Sequence, residues 1–412
     1  MARILLLAPQ LPIPPQALTG SMQGTTIRNF NLLAGLAKRH TVDLVTFLPP
    51  GMGADAVGFV RAYCREIVAL PQPTRKMTER ARDTLLSTAP DMALRLHSPE
   101  MHAALLDLVA RSRGYDVIEV EGIEMAPYML ALQDGWRGPR PRFIFDDHNA
   151  EYVLQQRAFA TDVRRPKRWI AATYSLIQWR KLAAYERRVC RAADWVAAVS
   201  DVDRGALLRL DPRLKITTIP NGVDLDFYRP GITQPLPEIG PNSLVFTGKM
   251  DYRPNVDAVT WFADAVFPLI RQQAPTACFY IVGQQPSPRV AALAQRTGIV
   301  VTGKVPDTRP YIAGAGVYVI PLRIGGGTRL KVLEAMAMGQ ALVSTRLGCD
   351  GFPFTDGREV SFADEPQLFA SRVVSLLRKR DEAARLGRAA RASVEEHYGW
   401  DAIVPQLEAL YQ

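Results

Sequence analysis

Three consecutive glycines, Gly325, Gly326 and Gly327, are followed by Thr328, Arg329, Leu330 and Lys331, and then by Glu334. Glycine has no Cβ, so oxygen atoms of another molecule can approach the backbone there. A helix that starts next points its first amide groups at such a ligand and adds the positive end of its dipole. Arg323, Arg329 and Lys331 bring cations to the same stretch. This combination suits a diphosphate. The flanking pattern supplies the elements that would hold it. Val317–Leu322 is an apolar run of strand type, and Thr328 has the character of an N-cap. Leu330, Leu333, Ala337 and Met338 share one side of a helix over Arg329–Met338, which Gly339 ends. Taken alone, the same pattern also describes an ordinary strand-to-helix turn.

A second group of reactive types is Phe145-Asp146-Asp147-His148-Asn149-Ala150-Glu151, at the end of an apolar strand. In an open α/β sheet that end of a strand is where ligands bind. Asp146, Asp147 and His148 are also residue types that hold a divalent metal. A third group is the segment Arg164–Arg191, which carries nine Arg and Lys against one Glu, so its net +8 nearly equals the +9 of the whole chain. Trp169, Tyr174, Ile177 and Trp179 lie among these charges, a mixture suited to an anionic membrane surface. The alternative is a core helix with a solvated basic face. No base-reading module accompanies the charge, so nucleic acid is not expected as a partner.

The elements that position these groups alternate along the chain. Strands are expected at Ile4–Ala8, Val42–Phe47, Ile67–Leu70, Val117–Val120, Phe143–Phe145, Trp195–Val199 and Ile216–Ile219, with a helix over about Thr26–Arg39 after a loop containing Gly20, Ser21 and Gly24. Residues 225–241 contain four prolines and two glycines and read as a linker. The alternation then restarts: strands Leu244–Phe246, Phe279–Val282, Ile299–Val301, Val317–Ile320 and Ala341–Ser344, and helices over Asn255–Gln273, Glu365–Lys379 and Asp381–Glu396. Strands spaced by helices in this way indicate mostly parallel, doubly wound sheets. At 412 residues the chain exceeds one ordinary core. The expected division is 1–224, the linker 225–241, 242–396, and a terminal segment 397–412 that packs back on the first domain.

The composition, 48% hydrophobic and 22% charged, is that of a globular protein and not of a disordered one. No apolar run approaches the roughly 20 residues of a membrane span. Residues 1–11 hold one basic residue and a short apolar run before prolines, which reads as an opening strand and not as a signal peptide. Cys64, Cys190, Cys278 and Cys349 are scattered without a paired spacing, which places the chain in a reducing cytoplasm. Attachment at the inner face of a membrane is the further expectation if the basic segment meets lipid.

Motif by motif, the C-terminal half resembles the family-4 retaining glycosyltransferases of the GT-B fold. Glu334 and the following Ala335-Met336-Ala337-Met338-Gly339 match the second half of that family's pattern of two glutamates separated by seven residues. The first glutamate falls on Gly326, a departure shared with a branch that carries the triple glycine and Thr-Arg-Leu-Lys. Pro220-Asn221-Gly222-Val223-Asp224 and Ala198-Val199-Ser200 resemble two further family segments. The stretch Thr302-Gly303-Lys304-Val305, with Asp307 and Tyr311, is similar to the loop that borders the nucleotide base. Gly248-Lys249 stands where the family has a Gly-Arg that reaches the donor diphosphate; the family's next lysine is replaced by Arg253-Pro254-Asn255.

The resemblance implies an α/β fold of two Rossmann-like domains facing each other across a cleft, and transfer of a sugar from a nucleotide-sugar donor to a hydroxyl on a glycan or lipid-linked acceptor. It implies no cofactor and no metal, because helix dipoles and basic residues serve the diphosphate in this fold. Glu334 would take the ribose hydroxyls. Gly325, Gly326, Gly327, Thr328, Leu330 and Gly248 would meet the diphosphate, with Lys249 and Arg329 stabilising the leaving charge, and Lys304 and Val305 would border the base. His148 would position the sugar, the departing phosphate itself serving as base, and Gly24 would face the donor from the first domain. Two other readings stay open: a catalytically silent nucleotide-sugar-binding scaffold, motivated by Gly326, and a sugar-nucleotide epimerase of the same fold.

Overall fold

The structure is a computed structural model and describes residues 1–14, 24–163, 168–325, 327 and 329–412. Two compact units divide the chain: Met1–Pro220 with Val404–Gln412, and Asn221–Ile403.

The first unit is built on a seven-stranded sheet with strands β1 (Arg3–Ala8), β2 (Thr41–Leu48), β3 (Glu66–Pro71), β4 (Val117–Glu121), β5 (Arg142–Asp147), β6 (Trp195–Ala198) and β7 (Ile216–Thr218), in the order β3-β2-β1-β4-β5-β6-β7. All neighbours are parallel. Parallel strands need crossovers, which cover both faces; this is why the inner strands read as near-continuous apolar runs. Ile4 to Ala8 and Phe143 to Phe145 are accordingly buried along their length. The register sets Glu121 opposite Asp146, so two carboxylates sit side by side at the C-terminal edge. That edge adjoins β1 and β4, where the strand order reverses.

The second unit repeats the plan with β8 (Ser243–Thr247), β9 (Cys278–Val282), β10 (Ile299–Gly303), β11 (Val317–Ile320), β12 (Leu342–Ser344) and β13 (Ser361–Phe362), ordered β10-β9-β8-β11-β12-β13. Its order reverses between β8 and β11. The helix expected over Asn255–Gln273 is two helices, Arg253–Trp261 and Phe267–Gln273, joined by a π turn over Phe262–Val266. Pro268 has no N–H for an α-helical bond, and the chain widens to a bond from the Phe267 N–H to the Phe262 carbonyl. The widening turns both rings inward, where Phe262 meets Phe279 with centroids 4.6 Å apart.

Residues 225–241 do not form a linker. They belong to the second unit, with Tyr228 and Ile239 in its core and the Tyr280 hydroxyl donating to the Glu238 carbonyl at 2.8 Å. The prolines hold the segment extended, and the apolar residues between them pack inward. The division instead falls at Pro220/Asn221 and, near the end, inside the helix Trp400–Glu408, at Ile403/Val404. Val404 packs on Gly35, where a Cβ would lie 2.4 Å from a valine methyl. Glu408 pairs with Arg39 at 2.8 Å and His40 at 3.0 Å, and the Tyr411 hydroxyl donates to Glu119. Among the described residues no helix is long and apolar enough to cross a membrane.

Candidate active site

In the second unit the chemistry gathers at the strand-order reversal, where β8 leads to Gly248 and β11 leads to the glycine turn. The Gly248 N–H donates to the Val282 carbonyl at 2.9 Å, and a Cβ on Gly283 would lie 1.7 Å from the Gly248 oxygen. Only glycine fits position 283, and its absent side chain lets the loop after β8 close down. Gly248 has φ 155°, and a Cβ there would stand 2.8 Å from both the Lys331 Nζ and the Asn255 amide nitrogen. Gly248 is thus an open backbone surface with an ammonium beside it.

Lys331 is held from two sides. Its Nζ donates to Asn255 Oδ1 at 3.0 Å and lies 4.0 Å from the centroid of the Phe246 ring, while the Asn255 amide donates to the Lys249 carbonyl at 2.9 Å. Burial, and then repulsion from Arg329, push the Lys331 pKa down to about 7, against the opposing pull of Glu334. A lysine so placed is charged in only part of the molecules at neutral pH, and an anion bound beside it would restore the full charge. Glu334 follows one turn later on the helix Leu330–Ala337; burial raises its carboxyl, and Lys331 and the Tyr228 hydroxyl oppose that rise.

The other expected residues fall as follows. Gly325 and Gly327 adopt positive φ, 115° and 76°, and Arg329 folds back over the turn, its Nη1 donating to the Gly327 carbonyl at 2.7 Å. Gly326 and Thr328 lie outside the described residues. The helix begins at Leu330, with Arg329 in the cap position. Lys249 points to a half-exposed pair with Asp251 at 3.2 Å, so the structure places Lys331, not Lys249, at Gly248. Arg323 is turned to Asp257 at 2.9 Å and lies 5.1 Å from the Trp261 ring centroid, away from the glycine turn. Lys304 is exposed at the end of β10, Val305 packs on the core, and Asp307 is clasped by Arg309, which stacks 3.6 Å from the Phe227 ring centroid.

In the first unit, Gly24 is the exposed first residue of the helix Gly24–Ala37, and Gly20 and Ser21 lie outside the described residues. One turn on, Arg28 is buried and reaches Asp146 Oδ2 with Nε at 3.0 Å and Nη2 at 2.7 Å, while Nη1 donates to the Pro220 carbonyl at 2.9 Å. His148 Nε2 meets Glu121 Oε2 at 2.7 Å. Burial raises Glu121, as does Asp146, and burial lowers His148, so both shifts favour the uncharged forms. A Cβ on Gly122, at φ 77°, would lie 3.2 Å from His148 Nδ1. Ligand atoms of Glu121, Asp146 and His148 lie within 4.8 Å of one another, close enough to share a cation, but the Arg28 guanidinium already supplies positive charge to Asp146. Asp147 points elsewhere: burial and the nearby Glu186 push its carboxyl well up.

Sequence reasoning passed over Glu121 and Arg28, and gave Lys331 no role of its own. The signal for the first was two acids, Glu119 and Glu121, inside an otherwise apolar strand run. The partnership of Arg28 with Asp146 spans 118 residues and leaves no local mark.

Residues 22–227 match the family described as Glycosyltransferase Family 4, and residues 241–379 match Glycosyl transferases group 1. The chain belongs to glycosyltransferase family 4. A GDP-mannose-dependent alpha-(1-6)-phosphatidylinositol monomannoside mannosyltransferase of Mycobacterium tuberculosis is 26% identical over 364 residues, which cover 76% of this family-4 chain and 88% of the relative. A 44.6 kDa protein in the cps region of Klebsiella pneumoniae is 20% identical over 164 residues, only 42% of its own length. Among solved structures, sucrose-phosphate synthase from Thermosynechococcus elongatus superposes with a TM-score of 0.70 at 19% identity, covering 100% of this chain and 98% of its own. Anabaena Alr3699/HepE in complex with UDP superposes with a TM-score of 0.64 at 13% identity, covering 99% of each chain. These likenesses establish the two-domain α/β GT-B fold, and the family establishes a glycosyltransferase.

Proposed function

We propose that this family-4 glycosyltransferase retains anomeric configuration as it moves a sugar from a nucleotide-sugar donor to a hydroxyl on a glycan or lipid-linked acceptor, in polysaccharide or cell-envelope glycan synthesis. The observation that carries the reading is the convergence at the β8/β11 edge: Lys331 Nζ against Gly248, the positive-φ turn of Gly325 and Gly327, and Glu334 one turn beyond. Cleavage of the anomeric bond leaves negative charge on the diphosphate. Cations and N–H groups fixed in advance stabilise that charge more than they stabilise the bound donor. Lys331 and Arg329 take this role, Glu334 takes the ribose hydroxyls, and Lys304 and Val305 border the base. In the first unit, His148, fixed by Glu121, orients the sugar, and the departing phosphate accepts the acceptor proton.

No metal enters this reading, because Arg28, Arg329 and Lys331 supply the positive charge; turnover therefore survives EDTA. The UDP complex of the Anabaena structure and the GDP-mannose dependence of the mycobacterial relative make uracil and guanine the two bases to test first. The protein acts in the cytoplasm. Calorimetry with UDP-, GDP-, ADP- and dTDP-sugars identifies the donor, and NMR of the product's anomeric proton tests retention. Nucleoside diphosphate released only with acceptor supports transfer. Donor isomerised without acceptor would show an epimerase, and donor bound without turnover would show a scaffold, the outcome that the missing glutamate at position 326 makes worth testing.

A further inference from the structure

The helix Met77–Leu86 is oriented against its own pattern. Its exposed residues are Met77, Thr78, Ala81, Arg82, Leu85 and Leu86, which recur at helical spacing and form one face. Met77, Leu85 and Leu86 are 75%, 76% and 79% exposed. The inward side carries Glu79, Arg80, Asp83 and Thr84. A surface helix of a globular protein normally does the reverse. The orientation is locked by polar bonds: Arg75 to Asp83 at 2.6 Å, Arg80 to the buried Asp91 at 2.9 Å, and the Lys181 ammonium to the carbonyls of Asp83 and Thr84 at 3.2 and 2.7 Å.

The apolar face continues onto the helix Trp169–Ala192. Asp91 bonds both Arg80 and the Tyr174 hydroxyl, and Gln178 reaches Thr84 at 3.5 Å, so the two helices run side by side in the same direction. Met77 and Ile170, each about one turn earlier, therefore lie toward the same end. There Trp169 is 61% and Ile170 91% exposed. Among the described residues, the exposed charges around this surface are Lys76, Arg82, Arg168 and Arg180, all positive; Arg82 also pairs with Asp83 at 3.1 Å and Arg168 with Asp162 at 3.2 Å, and Asp91 is turned inward onto Arg75 and Arg80.

We propose that the outward face of Met77–Leu86, with the first turn of Trp169–Ala192, docks on an anionic lipid bilayer. Leucine, isoleucine, methionine and tryptophan enter the headgroup boundary, and the surrounding arginines and lysine meet lipid phosphates. A second copy of the chain is the poorer occupant, because two such faces would bring their positive rims together. The sequence placed membrane contact on the whole of Arg164–Arg191. The structure narrows that stretch: residues 164–167 lie outside the described residues, Arg191 is bonded to Asp211, and beside Trp169 and Ile170 the apolar contribution comes from a helix outside it. The inference rests on this surface and is independent of how the donor is bound.

The test uses the full chain and co-sedimentation with phosphatidylcholine vesicles, with and without phosphatidylglycerol. The wild type should bind the anionic vesicles, lose binding with added salt, and leave the neutral ones in solution. Leu85→Ser with Leu86→Ser should lower vesicle partition roughly tenfold without changing nucleotide binding or Tm, since both side chains are exposed. Arg82→Gln with Arg168→Gln should weaken binding and flatten its salt dependence. Equal partition of the serine variant, absence of binding to anionic vesicles, or a concentration-dependent dimer that the serine variant abolishes would each overturn the proposal.

Discussion

The pair Arg28 and Asp146 offers the sharpest test of how the first unit holds its acidic edge. Both side chains are buried, at 2% and 0% exposure, and two guanidinium nitrogens share one carboxylate oxygen. Arg28→Met keeps much of the apolar stem and removes the charge. Breaking a buried pair from one side costs about 3–5 kcal/mol, because the remaining charge has no compensation. Arg28→Met with Asp146→Asn should recover most of the loss, because the amide leaves no unpaired charge behind. Urea unfolding of the first unit's transition measures both variants. A loss under about 1 kcal/mol in Arg28→Met, or no recovery in the double variant, would refute a compensated buried carboxylate at Asp146.

Lys331→Met should raise the Kd for the cognate nucleoside diphosphate about tenfold or more, the scale of one charge-assisted bond, with Tm unchanged or higher. With Lys331 titrating at about 7 in the free protein, affinity of the wild type should fall as pH rises above 7 and binding should take up a proton, both effects vanishing in the variant; calorimetry in buffers of different ionisation enthalpy reads this directly. Glu334→Gln should weaken nucleotide binding by about 1.5–3 kcal/mol while Tm barely moves, and an unchanged Kd would remove Glu334 from the ribose. Glu186 accepts the Glu151 and Tyr152 amides at 2.6 and 2.9 Å, and burial pushes its carboxyl from the ordinary 4.5 up to about 8. The folded state thus keeps a proton that the unfolded chain loses, so its contribution is full below about 4.5 and lost as pH rises through 8. Glu186→Gln should flatten the fall of Tm across that window.

The inner strands were legible because each is an apolar run buried on both faces, and their ends carried the chemistry-bearing residues. Glu334 and the glycine turn were legible for the same reason: the pattern that builds the turn is local. The partners were not. Asn255 lies 76 residues from the Lys331 it orients, and Glu186, the single acid of the basic segment, caps a helix that begins 35 residues earlier. No periodicity argument places the charged side of Met77–Leu86 inward, because there ion pairs and carbonyl bonds override the apolar pattern. The proline-rich 225–241 was misread for a related reason: the side chains between its prolines find their core only in three dimensions.

The two units solve one topological problem with opposite charges. Each sheet reverses its strand order and places ionisable groups at the C-terminal edge beside the reversal, where the backbone is open and a ligand can approach. In the first unit the groups are Glu121, Asp146 and His148, and burial drives Glu121 up and His148 down. In the second it is Lys331, and burial drives it down. At both edges burial thus favours the uncharged forms of these groups, which lowers the cost of keeping them out of water. A site already fully charged would have to hold its water or a counterion, and would give it up on binding the donor. A lysine poised near neutrality takes up a proton when a diphosphate binds beside it.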